Sequence, residues 1–100
     1  MKQQPWMSLL GLANRARKLI SGEELVIKEI RSNRAQLVIL SMDASENTRK
    51  KIEDKCRYYK VPIKYVANRY DLGQSIGKEA RVVIAILDKG FSNKLQQLLD

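Results

Sequence analysis

The chain has 100 residues, 44% of them hydrophobic, and its 19 Lys and Arg against 11 Asp and Glu leave a formal charge of +8. That length suits one domain, residues 1–100, with its own core, and the charge favours a polyanionic partner such as a nucleic acid. With no histidine anywhere, a Ser-His-Asp triad, a Cys-His dyad and a histidine metal site are all excluded.

Along the chain, Pro5 suits a first helical turn. Trp6, Leu9, Leu10, Ala13 and Ala16 then recur at helical steps, which predicts a helix over 5–16. A short strand over 18–21 follows. Ser21-x-x-Glu24 has the form of a capping box opening a second helix, whose inner face carries Val26 and Ile30 and which ends at Asn33. The unbroken apolar run 37–40 reads as a strand buried on both faces and central in its sheet.

Ser45 can cap a third helix with Ile52, Cys56 and Tyr59 inward and Arg49, Lys50, Lys51 and Lys55 mostly outward, stopped by Val61-Pro62. Residues 63–66 make a short strand, Asn68 with Asp71 opens a helix running out at Gly77, and 82–87 make a second buried strand. Phe91, Leu95, Leu98 and Leu99 form a closing amphipathic helix after a turn at Gly90. Short strands alternating with helices predict a three-layer α/β/α sandwich around a four-stranded, mostly parallel mixed sheet.

Function is read from a few places. The opening MKQQPWMSLLGLANRARK lacks the apolar run of a secretory signal, and no stretch approaches the ~18 apolar residues of a membrane span. A cytoplasmic protein with no membrane partner is expected. The single Cys56 cannot form an internal disulfide and falls at core spacing, as a buried thiol would. Phosphate-loop and G-x-G-x-x-G patterns are absent. With no nucleophile beside a base, catalysis is not expected.

The segment 18–41 is the most informative. A helix opening at Gly22 exposes unpaired N–H groups with partial positive charge, and Lys28 and Arg31 follow on one flank. Arg34 and Lys18 could widen that basic patch. Against this stands a plain alternative, an ion pair of Glu24 with Lys28 four residues on. Leu25, Val26 and Ile27 form an apolar triplet that cannot all face one core, so one lies under a neighbouring loop or is partly exposed, where it could pack on an unstacked base or bind another protein. The loops at 21–23 and 77–81 hold glycines that let backbone approach a ligand.

The stretches GEELVIKEIRSNRAQLVILSMD and VPIKYVANRYDLGQSIGKEA resemble the kink-turn-binding ribosomal protein superfamily, of L-seven-Ae type, over residues 18–87. The matching pieces are a glycine before a helix with lysine six on, A-x-L-V-I, V-P-x-x-Y-V and L-G-x-x-x-G. Within that superfamily the whole chain is most similar to small bacterial YlxQ-type ribosomal proteins. The resemblance implies an RNA-binding domain without cofactor or metal, acting on ribosomal or other structured RNA, with ribosomal or translation-factor proteins as further partners. Its site would comprise Gly22, Glu23, Glu24, Leu25, Lys28 and Arg31 on one side and Gly77, Lys78, Glu79, Ala80 and Arg81 on the other.

The kink-turn readers carry G-x-N-E-x-x-K, whose Asn and Glu take hydrogen bonds from sheared G·A pairs. Gly22 and Lys28 match that pattern, but Glu24 stands for the Asn and Leu25 for the Glu. A carboxylate only accepts and leucine does neither, so base readout is expected to differ. Lys78 and Arg81 replace apolar or small residues and make the second loop more basic. A protein-binding module of the translation machinery using the same surface is the alternative function.

Overall fold

A computed structural model describes residues 4–99; the ends of the expected domain, residues 1–3 and 100, lie outside the described residues. In chain order the elements are α1 (Pro5–Arg15), β1 (Leu19–Ser21), α2 (Glu23–Arg31), β2 (Leu37–Ser41), α3 (Glu46–Tyr59), β3 (Ile63–Val66), α4 (Arg69–Gln74), β4 (Val83–Ile86) and α5 (Lys89–Leu98). The strands form one sheet in the order β1-β4-β2-β3. Its two inner strands, β4 and β2, are buried throughout.

Alternation along those strands builds two cores. Leu37, Ile39, Ile84 and Ile86 face α1, α4 and α5, where they meet Trp6, Met7, Leu10, Leu72 and Leu95. Val38, Leu40, Val83 and Ala85 face α2 and α3 and meet Val26, Ile30, Ile52 and Cys56. The α/β/α sandwich expected from the sequence is therefore the fold, and each central strand is apolar, save Ser41 at the end of β2, because both of its faces are covered.

The sheet is mixed, but the expectation that it is mostly parallel is corrected. β2 pairs parallel with β3 alone, while β4 runs antiparallel to both β1 and β2. α4 advances only about 9 Å over its six residues, and the chain after it folds back on the helix, Lys78 N–H to the Gly73 carbonyl at 2.9 Å, so it does not return to the far end of the sheet. It re-enters where β3 left off. As a result the β1–α2 turn, the loop after β2, the loop after β3 and the loop before β4 all crowd one end of the sheet.

Local caps follow the sequence in part. Ser45 accepts from the Thr48 N–H, and Asn68 accepts from the N–H groups of Tyr70 and Asp71. Ser21 does not cap α2, because it is the last residue of β1 and the N-cap is Gly22. Gly90 lies inside α5, whose cap is Asp88 accepting from the Phe91 N–H, and Leu98 is exposed rather than inward. α4 ends at Gln74, three residues before the glycine expected to end it.

Cys56 is buried against this second core, and burial, then the charge of Glu53, pushes its thiol up to about 12. At pH 8 the native protein should stay unlabelled by an aromatic disulfide reagent that labels the denatured chain in full. Labelling of the native protein at the rate of a free thiol would contradict this placement.

Candidate functional site

The predicted halves of the site meet because β1 pairs with β4. Ser21 stands opposite Ile84, and the Gly22 N–H donates to the Val83 carbonyl at 3.2 Å. The opening of α2 therefore lies against the loop that enters β4. Arg81 fastens the junction: its Nε donates to Ser21 Oγ at 3.2 Å, its Nη1 to the Ala80 carbonyl at 2.6 Å and its N–H to the Arg69 carbonyl at 3.0 Å. Arg69 carries the lacing onward, donating from Nη2 to the Asp43 carbonyl at 2.7 Å and from its N–H to the Asp43 carboxylate at 3.1 Å.

Gly22 holds φ +103°, a left-handed value that favours glycine, and a Cβ there would meet nothing within 4 Å. Space around it is open. No side chain caps α2, and Val26 is the first residue whose N–H finds the helix ladder, on the Gly22 carbonyl at 2.9 Å. The amides of Glu23, Glu24 and Leu25 consequently point out of the helix end without partners among the described residues, a short array of donors suited to an anion.

The side chains of α2 separate into different roles. The Glu23 carboxylate faces α3, taking 2.8 Å hydrogen bonds from Lys51 Nζ and Thr48 Oγ1 that, in that order, hold it below the usual carboxylate range. It ties two helices together and is not free for a ligand. Glu24 is exposed, and Leu25, 48% exposed, is the member of the apolar triplet left outside; Ile27 packs on the second core.

Lys28 is exposed about 7.5 Å along the axis from Glu23, and among the described residues the ion pair with Glu24 is not formed. Arg31 stands a turn further on, also exposed. The wider patch contracts, however. Arg34 is held two-pronged by the 7%-exposed Glu29, Nε to Oε1 at 2.8 Å and Nη2 to Oε2 at 3.0 Å. Lys18 sits at the far end of β1, its carbonyl accepting from Leu87.

Around the second loop two glycines, one in α4 and one after it, do different work. Gly77 has φ +75° in open space, turning the chain after α4. At Gly73 a Cβ would lie 2.6 to 2.8 Å from the backbone of Ala80, so only glycine lets the loop fold back onto α4. The loop's two ends are pinned, by Lys78 N–H to the Gly73 carbonyl at 2.9 Å and by the Arg81 contacts. Lys78 and Glu79 are exposed, Ala80 is packed against Gly73, and Arg81 is half-buried. Arg81 is thus chiefly a brace, and Lys78 is the loop's free cation.

Sequence reasoning missed Arg69, Asp43 and Gly73. The first two are 26 residues apart with no spacing signal, whereas Gly73 lay in plain view in L-G-x-x-x-G. Chemically the site offers unpaired amides, the cations Lys28, Arg31 and Lys78, and exposed carboxylates at Glu24 and Glu79. Among the described residues no group of His, Cys, Asp or Glu could hold a metal ion.

Comparison with known proteins bears on the whole domain. Residues 4–96 match the model of the ribosomal protein L7Ae/L30e/S12e/Gadd45 family. The chain is 66% identical over 100 residues, covering 100% of both chains, to the RNA-binding protein YlxQ of Bacillus subtilis (strain 168). It is 32% identical over 84 residues to large ribosomal subunit protein eL30 of Trypanosoma brucei brucei, covering 82% of this chain and 80% of the other. A solved protein of unknown function from Bacillus halodurans C superposes with TM-score 0.93 at 54% identity, over 96% of this chain and 97% of that one.

Gly73→Ala should cost about 1–3 kcal/mol, since backbone and not a flexible side chain must yield. Thermal unfolding checks this, together with loss of amide protection at Lys78 and Arg81. A variant as stable as the parent would show that the loop does not depend on the close approach.

Proposed function

This chain belongs to the ribosomal protein L7Ae/L30e/S12e/Gadd45 family, and we propose that it is a cytoplasmic RNA-binding protein of ribosomal or ribosome-associated type. Its RNA contact is the end of the sheet where α2 opens beside the 77–81 loop. The names of its relatives, an RNA-binding protein and a ribosomal subunit protein, support this reading and are not those of enzymes. The observation that carries it is the juxtaposition of the unpaired amides of residues 23–25 with Lys28 and Lys78, in a chain of formal charge +8.

In this reading the backbone donors and the cations hold phosphates and set the register of the RNA, while Glu24 accepts from a base amine. Kink-turn readers of the superfamily use an Asn and a Glu at the positions of Glu24 and Leu25. With a carboxylate and an exposed leucine there, sheared G·A pairs lose their partners, and the preferred RNA is one whose bases offer amine edges or an unstacked face to the Leu25 side chain. Leu25 also supports a second reading, a protein contact, which Leu25→Asp with RNA binding intact would favour.

The account predicts a salt-dependent affinity. With Lys28, Arg31 and Lys78 on phosphates, the log–log slope against salt in a filter-binding titration of a ribosomal RNA fragment should be roughly −2 to −3. Lys28→Ala and Lys78→Ala should each reduce that slope by about 1. A flat salt profile, or wild-type affinity in both variants, would remove the proposal.

A further inference from the structure

Beside the laced loops lies a cleft that the contacts above do not use. It has a volume of ≈ 360 Å³ and is lined by Met42, Arg49, Glu53 and Tyr65, between α3, the edge strand β3 and the loop after β2. Tyr65 pairs in register with Leu40 and so projects on the α3 side of the sheet, where its hydroxyl donates to Glu53 Oε2. That tie fixes the ring at the sheet edge, 39% exposed. Met42, 67% exposed, stands at the mouth, and its N–H is held by the Val66 carbonyl at 2.8 Å.

Two groups in the cleft have capacity to spare. Glu53 uses one carboxylate oxygen on Tyr65, and its Oε1 has no hydrogen bond among the described residues. Arg49 is exposed and makes no ion pair among them. Burial, then the hydrogen bond to Glu53 and its charge, pushes the Tyr65 hydroxyl up to about 12, so the ring stays neutral and tied across the physiological range.

We propose that this cleft is a stacking subsite for one unpaired nucleobase bearing an exocyclic amine, seated against Tyr65 and Met42 with its amine on Glu53 and its adjoining phosphate on Arg49. The inference rests on the RNA-binding reading and adds a base preference to it. A planar ligand fits because a fixed aromatic ring and a flexible thioether present two apolar surfaces. A carboxylate accepts only, so it favours the cytosine N4 amine and opposes the uracil O4 carbonyl at the same ring position. The phosphate falls to Arg49 because Glu53 repels it.

Continuity supplies the rest of the argument. Met42 immediately precedes Asp43, which Arg69 grips, and Arg69 in turn accepts from Arg81. The cleft therefore opens at the same sheet end as the α2 amides and Lys78. A strand that leaves the structured part of the RNA across the Asp43–Arg69 bridge arrives at Tyr65.

The test uses the whole protein with two single-stranded RNA decamers, rC10 and rU10, whose bases differ at ring positions 3 and 4. Wild-type protein should bind rC10 about five- to tenfold more tightly. Met42→Ala and Tyr65→Leu should each lower rC10 affinity several-fold, and Glu53→Ala should erase the preference. Met42 is exposed, so its truncation keeps the test valid if Tyr65→Leu perturbs folding. Equal affinity for the two decamers, no binding of rC10 at low salt, or wild-type behaviour of Met42→Ala each overturns the subsite. The salt titration on structured RNA reports separately on the RNA-binding reading.

Discussion

Everything at the proposed RNA contact depends on the antiparallel pairing of β1 with β4. β1 is only three residues long and half-buried, yet its register against β4 sets the start of α2 beside the loop that follows α4. Without that pairing the unpaired amides of α2 and the cation Lys78 would belong to unrelated surfaces. The Arg81 to Ser21 contact crosses 60 positions of sequence, and it is possible only because both residues lie at the same end of adjacent strands. A short α4 contributes to the same outcome by keeping the chain at that end.

The electrostatics of the site divide between scaffold and ligand. Glu23, Glu29 and Asp43 each take the charge of a neighbour, Lys51, Arg34 and Arg69; Glu29 is buried, and the other two pairs, exposed or half-exposed, position loops and helices more than they stabilise the fold. Subtracting them leaves Lys78 in the loop beside the α2 opening, and Lys28 and Arg31 further along that helix, as exposed cations. The net charge of +8 is therefore less informative than its distribution. An anion approaching this end meets fixed backbone dipoles first and flexible lysines second, an order suited to holding a folded RNA in register.

Much of this was legible from residues alone, and the exceptions have physical causes. The two-sided burial of β2 and β4 shows in their unbroken apolar runs, and Asn68 and Ser45 behave as the caps they look like. Ser21 also looks like a cap, but the hydroxyl serves Arg81, because a capping pattern does not reveal that its first residue ends a strand. Strand direction escaped for a related reason: it hangs on the length of α4, and the helix stops at Gln74, short of the glycine that seemed a natural end in sequence. Gly73 reads as an ordinary helical glycine until the backbone of Ala80, seven residues on, is seen against it. Arg34 and Lys18 drop out of the patch through contacts local spacing does not encode, the one with a buried Glu29, the other through its place at the far end of β1.

The central claim is that RNA meets this one end of the sheet, and amide chemical-shift mapping tests it most directly. The labelled protein would be titrated with the RNA recovered from it by crosslinking in cells. The account predicts that the largest perturbations fall on the amides of residues 22–25 and 78–81, with smaller ones along α2 to Arg31. Perturbations confined to α1 and α5, on the opposite layer, would contradict it.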